Sequence, residues 1–133
     1  MQREIVNPEG LPDPIGFNHG ILVRGGQLLF LAGQDASGSD GEIVAEGDLL
    51  AQFDQVLHNL ATVVEAAGGE PDDIVKLNVF VADRDDYRSK LEPLGEIFGD
   101  YFDEYPAMAL FEVTNFFKDD ALIELEGFAV VEP

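Results

Sequence analysis

Residues 27–33 read Gln-Leu-Leu-Phe-Leu-Ala-Gly, a run of strand length that is apolar on both parities. Successive side chains of a strand point to opposite faces, so Leu28 and Phe30 would project to one side of a sheet and Leu29 and Leu31 to the other. A sheet with one wet face alternates apolar and strongly polar residues, which only parts of these strands do. Any fold of this chain must therefore cover two sheet faces.

The pattern provides two helices for that purpose. In residues 48–67, Asp48 is a suitable N-cap, and Leu49, Leu50, Phe53, Val56, Leu57, Leu60, Val64 and Ala67 recur at spacings of three and four, which puts them on one stripe. Gly68-Gly69 ends that helix. A second helix, capped by Asp83 or Asp85, continues toward Phe102 with Tyr87, Leu91, Leu94, Phe98 and Tyr101 on one side, and Pro93 leaves its early part undefined.

Strands are expected over residues 4–6, 21–24, 27–33, 74–82, 107–115 and 122–131, the last two joined by a polar turn around Lys118-Asp119-Asp120. Gly25-Gly26 is the dipeptide demanded by a two-residue hairpin with positive φ angles, so the second and third strands should pair directly. Residues 1–18 carry Pro8, Pro12, Pro14, Gly10 and Gly16, which imposes an irregular, extended path whose order requires docking on a neighbour. The order β-β-β-α-β-α-β-β, without repeat or linker, gives one α+β domain over residues 1–133. Two helices cover one face of a sheet, and the other should be buried by self-association.

Composition narrows the partners. There is no cysteine, so disulfides, thiolate catalysis and cysteine metal sites are absent by inventory. Against 27 Asp and Glu there are 7 Lys and Arg, a formal charge of -20, while 46% of residues are hydrophobic, which excludes disorder. Nucleic-acid affinity comes largely from cations that displace condensed counterions, and only Arg3, Arg24, Lys76, Arg84, Arg88, Lys90 and Lys118 are available, so no nucleic-acid partner is expected. Acidic excess spread along the whole chain suits a proteome adapted to high salt, where screening removes self-repulsion, the alternative being an ordinary acidic protein. No apolar stretch approaches the ~20 residues of a membrane span, and MQREIVNPEG lacks a signal-peptide core. A soluble, cytoplasmic protein is expected.

Three segments resemble the Rid family of YjgF-like reactive-intermediate deaminases. The first is Ile15-Gly16-Phe17-Asn18-His19-Gly20 followed by Leu29-Phe30-Leu31-Ala32-Gly33-Gln34. The second runs from Gln55-Val56-Leu57-His58-Asn59-Leu60 through Ala66-Ala67-Gly68 to Val75-Lys76-Leu77-Asn78-Val79-Phe80-Val81. The third is Tyr105-Pro106-Ala107-Met108-Ala109-Leu110-Phe111-Glu112-Val113, ending in Leu122-Ile123-Glu124-Leu125-Glu126-Gly127. The resemblance implies a chorismate-mutase-like fold, with a mixed sheet covered on one face by two helices. It also implies a homotrimer around a central barrel, with clefts between subunits that bind small carboxylated molecules and no cofactor.

In active members of that family an arginine at the position of Met108 pairs bidentately with the substrate carboxylate, a task for a planar guanidinium that Met108 cannot perform. The resemblance makes Glu124 the residue that positions water for attack on an imine carbon. Phe17 stands where the family usually has tyrosine, and with Met108 it points toward a less polar ligand. Ala107 and Gly33 belong to the implied cleft wall, where the Gly33 N–H could meet a ligand oxygen, although a tight turn explains a glycine equally well. Arg24 and Lys118 are candidates for a substitute cation.

Other polar residues keep two readings. His19 is an acid/base candidate or a loop or interface histidine with one structural hydrogen bond. Glu124 and Glu126 share a strand face, as a carboxylate pair for a metal or as a half-solvated edge, and no third ligand is in view. Asn78 lines the cleft or satisfies a backbone group. His58 is structural, and residues 37–41 lack the Lys-Ser/Thr ending of a phosphate loop. The functions left open are hydrolysis of an imine, enamine or related C=N compound and non-catalytic binding of a small metabolite. A ribonuclease or translation-inhibitor role is opposed by the charge of -20.

Overall fold

Helix α1, Leu49–Ala66, begins where Asp48 accepts a hydrogen bond from the Ala51 N–H at 3.0 Å. It ends where Gly68, at φ +88°, lets the Gly68 and Gly69 amides return to the Glu65 and Val64 carbonyls. Its apolar stripe is buried over Leu49, Phe53, Val56, Leu57, Leu60 and Val64. These features come from a computed structural model describing residues 1–133.

The stripe packs on a four-stranded sheet of order β3-β6-β4-β5, formed by Gln27–Gln34, Ile123–Val131, Ile74–Val81 and Ala107–Glu112. β6 runs antiparallel to both neighbours and β5 runs parallel to β4, so the sheet is mixed. The β4-to-β5 crossover carries two helices, α2 (Arg84–Ser89) and α3 (Leu91–Gly99), where the sequence suggested one. Their junction at Lys90 sits at φ -122°, ψ 26°, and Pro93 falls in the first turn of α3, where its missing N–H has no intrahelical acceptor to lose.

Strands β1 (Gln2–Val6) and β2 (Gly20–Arg24) form a separate antiparallel pair. The expected β2-β3 hairpin does not form. Gly25 and Gly26 do take positive φ, 80° and 84°, but the chain uses them to pass from one sheet to the other. Residues 7–19 dock on the chain's own segment ahead of β5. The Asn18 N–H donates to the Pro106 carbonyl at 3.0 Å, and its side-chain amide donates to the Tyr105 carbonyl at 2.7 Å.

The core lies between the helices and one sheet face, with Leu77, Ile123, Leu125 and Ala129 fully buried against α1 and α3. The opposite face is open and carries large apolar side chains toward its edges: Phe30 is 69% exposed, Leu28 60% and Phe111 49%. Helices α1 and α3 cover one face only, and the other stays open as the strand parity implied.

Candidate functional site

Parity along β5 and β6 decides where the candidate residues go. Met108 is in register with the buried Leu77, so its side chain faces the helices. There it lines a cavity of about 470 Å³ between β5 and α3, closed at one end by the loop that carries Phe17. The floor is Phe53, Val79 and Phe98, and Leu91, Leu94 and Leu110 form the walls. Twelve of the fourteen lining residues are hydrophobic, and the other two are Gly16 and Gly95.

The loop is held at the cavity mouth by Asn18, which is 8% exposed. It accepts from the Asn7 amide at 3.0 Å, donates to Glu104 at 3.2 Å and bridges to Ala107. Ala107 thus anchors the loop and is not one of the residues lining the cavity. His19 packs edge-on against Phe17, with ring centroids 5.1 Å apart, and its Nε2 lies 2.7 Å from the Pro12 carbonyl. A carbonyl only accepts, so Nε2 carries the proton in that contact, as a loop-bracing histidine would.

Glu124 faces the other way. It sits between the fully buried Ile123 and Leu125 on β6 and projects from the open sheet face, where Asn78, Phe80 and Glu126 also project. A Cβ on Gly33 would come within 2.7 Å of the Glu124 Oε2, so the glycine leaves room for the carboxylate to lie across β3. Gly33 does not take a left-handed φ, so a tight turn is not the reason for it. It falls where the β3-β6 register shifts, between Leu31 and Gln34.

Burial raises the Glu124 carboxyl above the usual carboxylate range, and the nearby charges of Asp35 and Glu126 add to the effect. Asp35 accepts from the Ser37 hydroxyl and backbone N–H and stands 3.9 Å from the Lys118 Nζ. Lys118 also donates to Ser37 and to the Gly41 carbonyl, each at 2.6 Å, which ties down loop 37–41. Arg24 pairs on the surface with Glu4 at 3.6 Å. Neither cation lines the cavity beside Met108. No group of three or more His, Cys, Asp or Glu side chains is arranged to hold a metal, and the Glu124/Glu126 pair gains no third ligand.

Within one chain, then, the candidates form two sets on opposite sheet faces. Phe17 and Met108 lie at the apolar cavity, with His19 behind Phe17. Glu124, Gly33 and Asn78 lie on the open face, on β6, β3 and β4.

Residues 12–131 match the Endoribonuclease L-PSP family. A RutC family protein of Pyrococcus horikoshii is 36% identical over 132 residues, which is 98% of this chain and 99% of that protein. The chain belongs to the Rid family. The crystal structure of the Rid protein YyfB from Yersinia pestis matches with a TM-score of 0.87 at 35% identity, covering 98% of this chain and all of that one. The 3-aminoacrylate deaminase RutC of Acinetobacter baylyi is 29% identical over 132 residues, 98% of this chain and 100% of that protein. The α+β mixed-sheet fold is therefore that of the Rid family, as the three sequence segments implied.

Two working residues of this Rid chain escaped the sequence reading. Asn18 lies inside the segment 15–20 that resembles the family, where nothing local signals its role. Gln52 lies on the apolar stripe of α1, fully buried, and joins the helix to the β5-β6 turn: its amide donates to the Asp120 carbonyl at 3.1 Å and its carbonyl accepts from the Leu122 N–H at 2.9 Å. A glutamine between Leu49 and Phe53 was the visible signal, since a buried amide must find partners.

Proposed function

We propose that this Rid protein assembles as a homotrimer and binds a small metabolite in clefts where the Met108 cavity of one subunit meets the Glu124 face of the next. There it hydrolyses an imine, enamine or related C=N compound. The observation that carries the reading is Glu124, a half-buried carboxylate seated over Gly33 with its proton affinity raised by burial and by Asp35 and Glu126. Such a group is suited to take a proton from water as the water oxygen adds to the C=N carbon and to pass it to nitrogen, giving a carbinolamine, and then to carry the hydroxyl proton to the same nitrogen as ammonia leaves and the carbonyl forms. The Acinetobacter relative, named as a 3-aminoacrylate deaminase, supports the same reaction class.

Met108 sets the limit on substrates. A 2-imino acid would bring its carboxylate to a wall of methionine, phenylalanine and leucine. Loss of a charge-assisted bidentate contact costs on the order of a few kcal/mol, and hence orders of magnitude in kcat/KM. Met108→Arg should accelerate hydrolysis of 2-iminopropanoate relative to wild type, and a wild type already as fast as the variant would overturn this limit.

The same missing cation favours a second reading, a trimeric binding protein that senses its ligand without turnover. Glu124→Ala separates the two: abolished turnover of a C=N substrate establishes catalysis, whereas unchanged ligand affinity with no turnover to lose supports sensing. RNA remains a poor partner for a chain of charge -20.

A further inference from the structure

We propose that the cavity between α3 and β5 takes an uncharged, largely apolar ligand of the size of an aryl alkyl imine or its ketone product, in place of an acid. This names the substrate class of the hydrolase reading above and rests on it. Three features of the cavity carry it.

The first is the lining. The cavity, about 470 Å³, has no lysine, arginine or histidine in its wall, and its side-chain polar atoms are the hydroxyls of Tyr87 and Tyr105. A carboxylate moved from water into such a wall loses its hydration and gains no counter-charge. A neutral C=N or C=O group needs only a hydrogen-bond donor, which a phenol provides.

The second is the placement of those phenols. Both line the cavity, and burial raises the Tyr87 hydroxyl above its ordinary value, with the nearby Tyr105 adding to the effect, so Tyr87 is held as a protonated donor there. The Tyr101 hydroxyl, by contrast, is engaged by Asp54 at 2.9 Å outside the cavity.

The third is Gly95, in the interior of α3. Its φ is not left-handed, and a Cβ built on it meets no atom within 4 Å, so neither backbone conformation nor a close neighbour calls for glycine. Glycine is among the poorest helix formers. What it does leave is open space beside Leu91 and Leu94, on the side a flat apolar group would occupy.

The test uses a matched pair of ligands, acetophenone and phenylglyoxylate, which differ in a methyl against a carboxylate. Their affinities for the full-length protein are measured by titration calorimetry. Hydrolysis of the two corresponding imines, generated in place from 1-phenylethylamine and phenylglycine by an amine oxidase and an amino-acid oxidase, is followed as ammonia release. Acetophenone should bind at least about tenfold tighter than phenylglyoxylate, and its imine should be the faster substrate. Gly95→Leu should weaken acetophenone binding by about tenfold or more while the melting temperature holds or rises, since leucine is the better helix former.

Equal or tighter binding of phenylglyoxylate overturns the assignment and leaves the hydrolase reading intact if its imine is turned over. Preferential binding of acetophenone with neither imine hydrolysed above the buffer rate supports the ligand class and removes the hydrolase reading. Binding of neither compound, or a Gly95→Leu protein that binds as wild type does, overturns the assignment.

Discussion

Phe30→Asp tests the assembly on which the cleft depends. Phe30 projects from β3 on the open face, 69% exposed, with its ring edge-on to Phe128 at 5.3 Å. Full burial of a phenylalanine side chain contributes about 1.5–3 kcal/mol, so the part still exposed here offers about 1–2 kcal/mol when another copy covers it. Three copies make that about 3–6 kcal/mol per trimer. Aspartate forfeits this and leaves a carboxylate in an apolar contact, at a further ~2 kcal/mol or more per copy even when it is partly hydrated.

The combined loss is on the order of 10 kcal/mol per trimer, or about seven decades in the dissociation constant. Sedimentation velocity at micromolar concentration should then find wild type at three times 14.5 kDa and the variant at 14.5 kDa. Far-UV circular dichroism should be unchanged, because Phe30 contributes nothing to the core between the sheet and α1. Turnover of any C=N substrate should vanish with the assembly, although Glu124 and Met108 are untouched. A wild type that sediments as a monomer, or a variant that stays trimeric and active, would refute the reasoning.

Gly127→Ala should destabilise the fold by about 3 kcal/mol or more in urea unfolding, because its Cβ would overlap the Lys76 carbonyl oxygen across the β4-β6 ladder; a cost below about 1 kcal/mol would contradict that contact. Glu124→Gln should raise the melting temperature at neutral pH. The raised folded-state proton affinity means Glu124 stabilises the fold only while protonated, in full below its unfolded pKa and progressively less as pH climbs through the folded one, so the gain should shrink toward zero in acid. A gain independent of pH would remove the carboxylate charge as its cause. With a charge of -20, the melting temperature should climb between about 0.1 M and 1 M KCl as the screening length falls from ~10 Å to ~3 Å, and a flat or falling profile would count against self-repulsion as the dominant salt effect.

What the sequence made legible were properties set within a few residues. The stripe and cap of α1, the turn glycines 25 and 26, and the two-sided parity of β3 all follow from local spacing, and all appear in the fold. Partner choice is a different kind of information. A Gly-Gly dipeptide fixes φ at the turn, but whether β2 pairs with β3 or with β1 is a competition between strands, which β1 wins over five residue pairs. Asn18 and Gln52 were unreadable for the same reason: besides Asn7 and Ala45, the partners that hold them lie 86 to 88 and 68 to 70 residues away, among them Glu104 and Asp120. The three motif segments named most of the candidate residues. They carried no register, so they could not reveal that Met108 and Glu124 leave the sheet on opposite sides.

That opposition explains how the chain keeps two incompatible environments. Glu124 shares its surroundings with Asp35 and Glu126, and Lys118, 3.9 Å from Asp35, offsets part of the local negative charge while remaining tied to Ser37 and Gly41. The Met108 cavity, behind the sheet, has no ionisable side chain except the two tyrosines. In the proposed trimer, an acid that entered the cavity as far as the Glu124 face of the next subunit would meet carboxylates ahead and hydrocarbon around it. A neutral imine would meet a proton acceptor ahead and a matching wall around it. If the proposed trimer brings the two faces together, a cation at position 108 is needed for an acid and superfluous for a neutral compound, and the methionine and the glutamate then suit one ligand class.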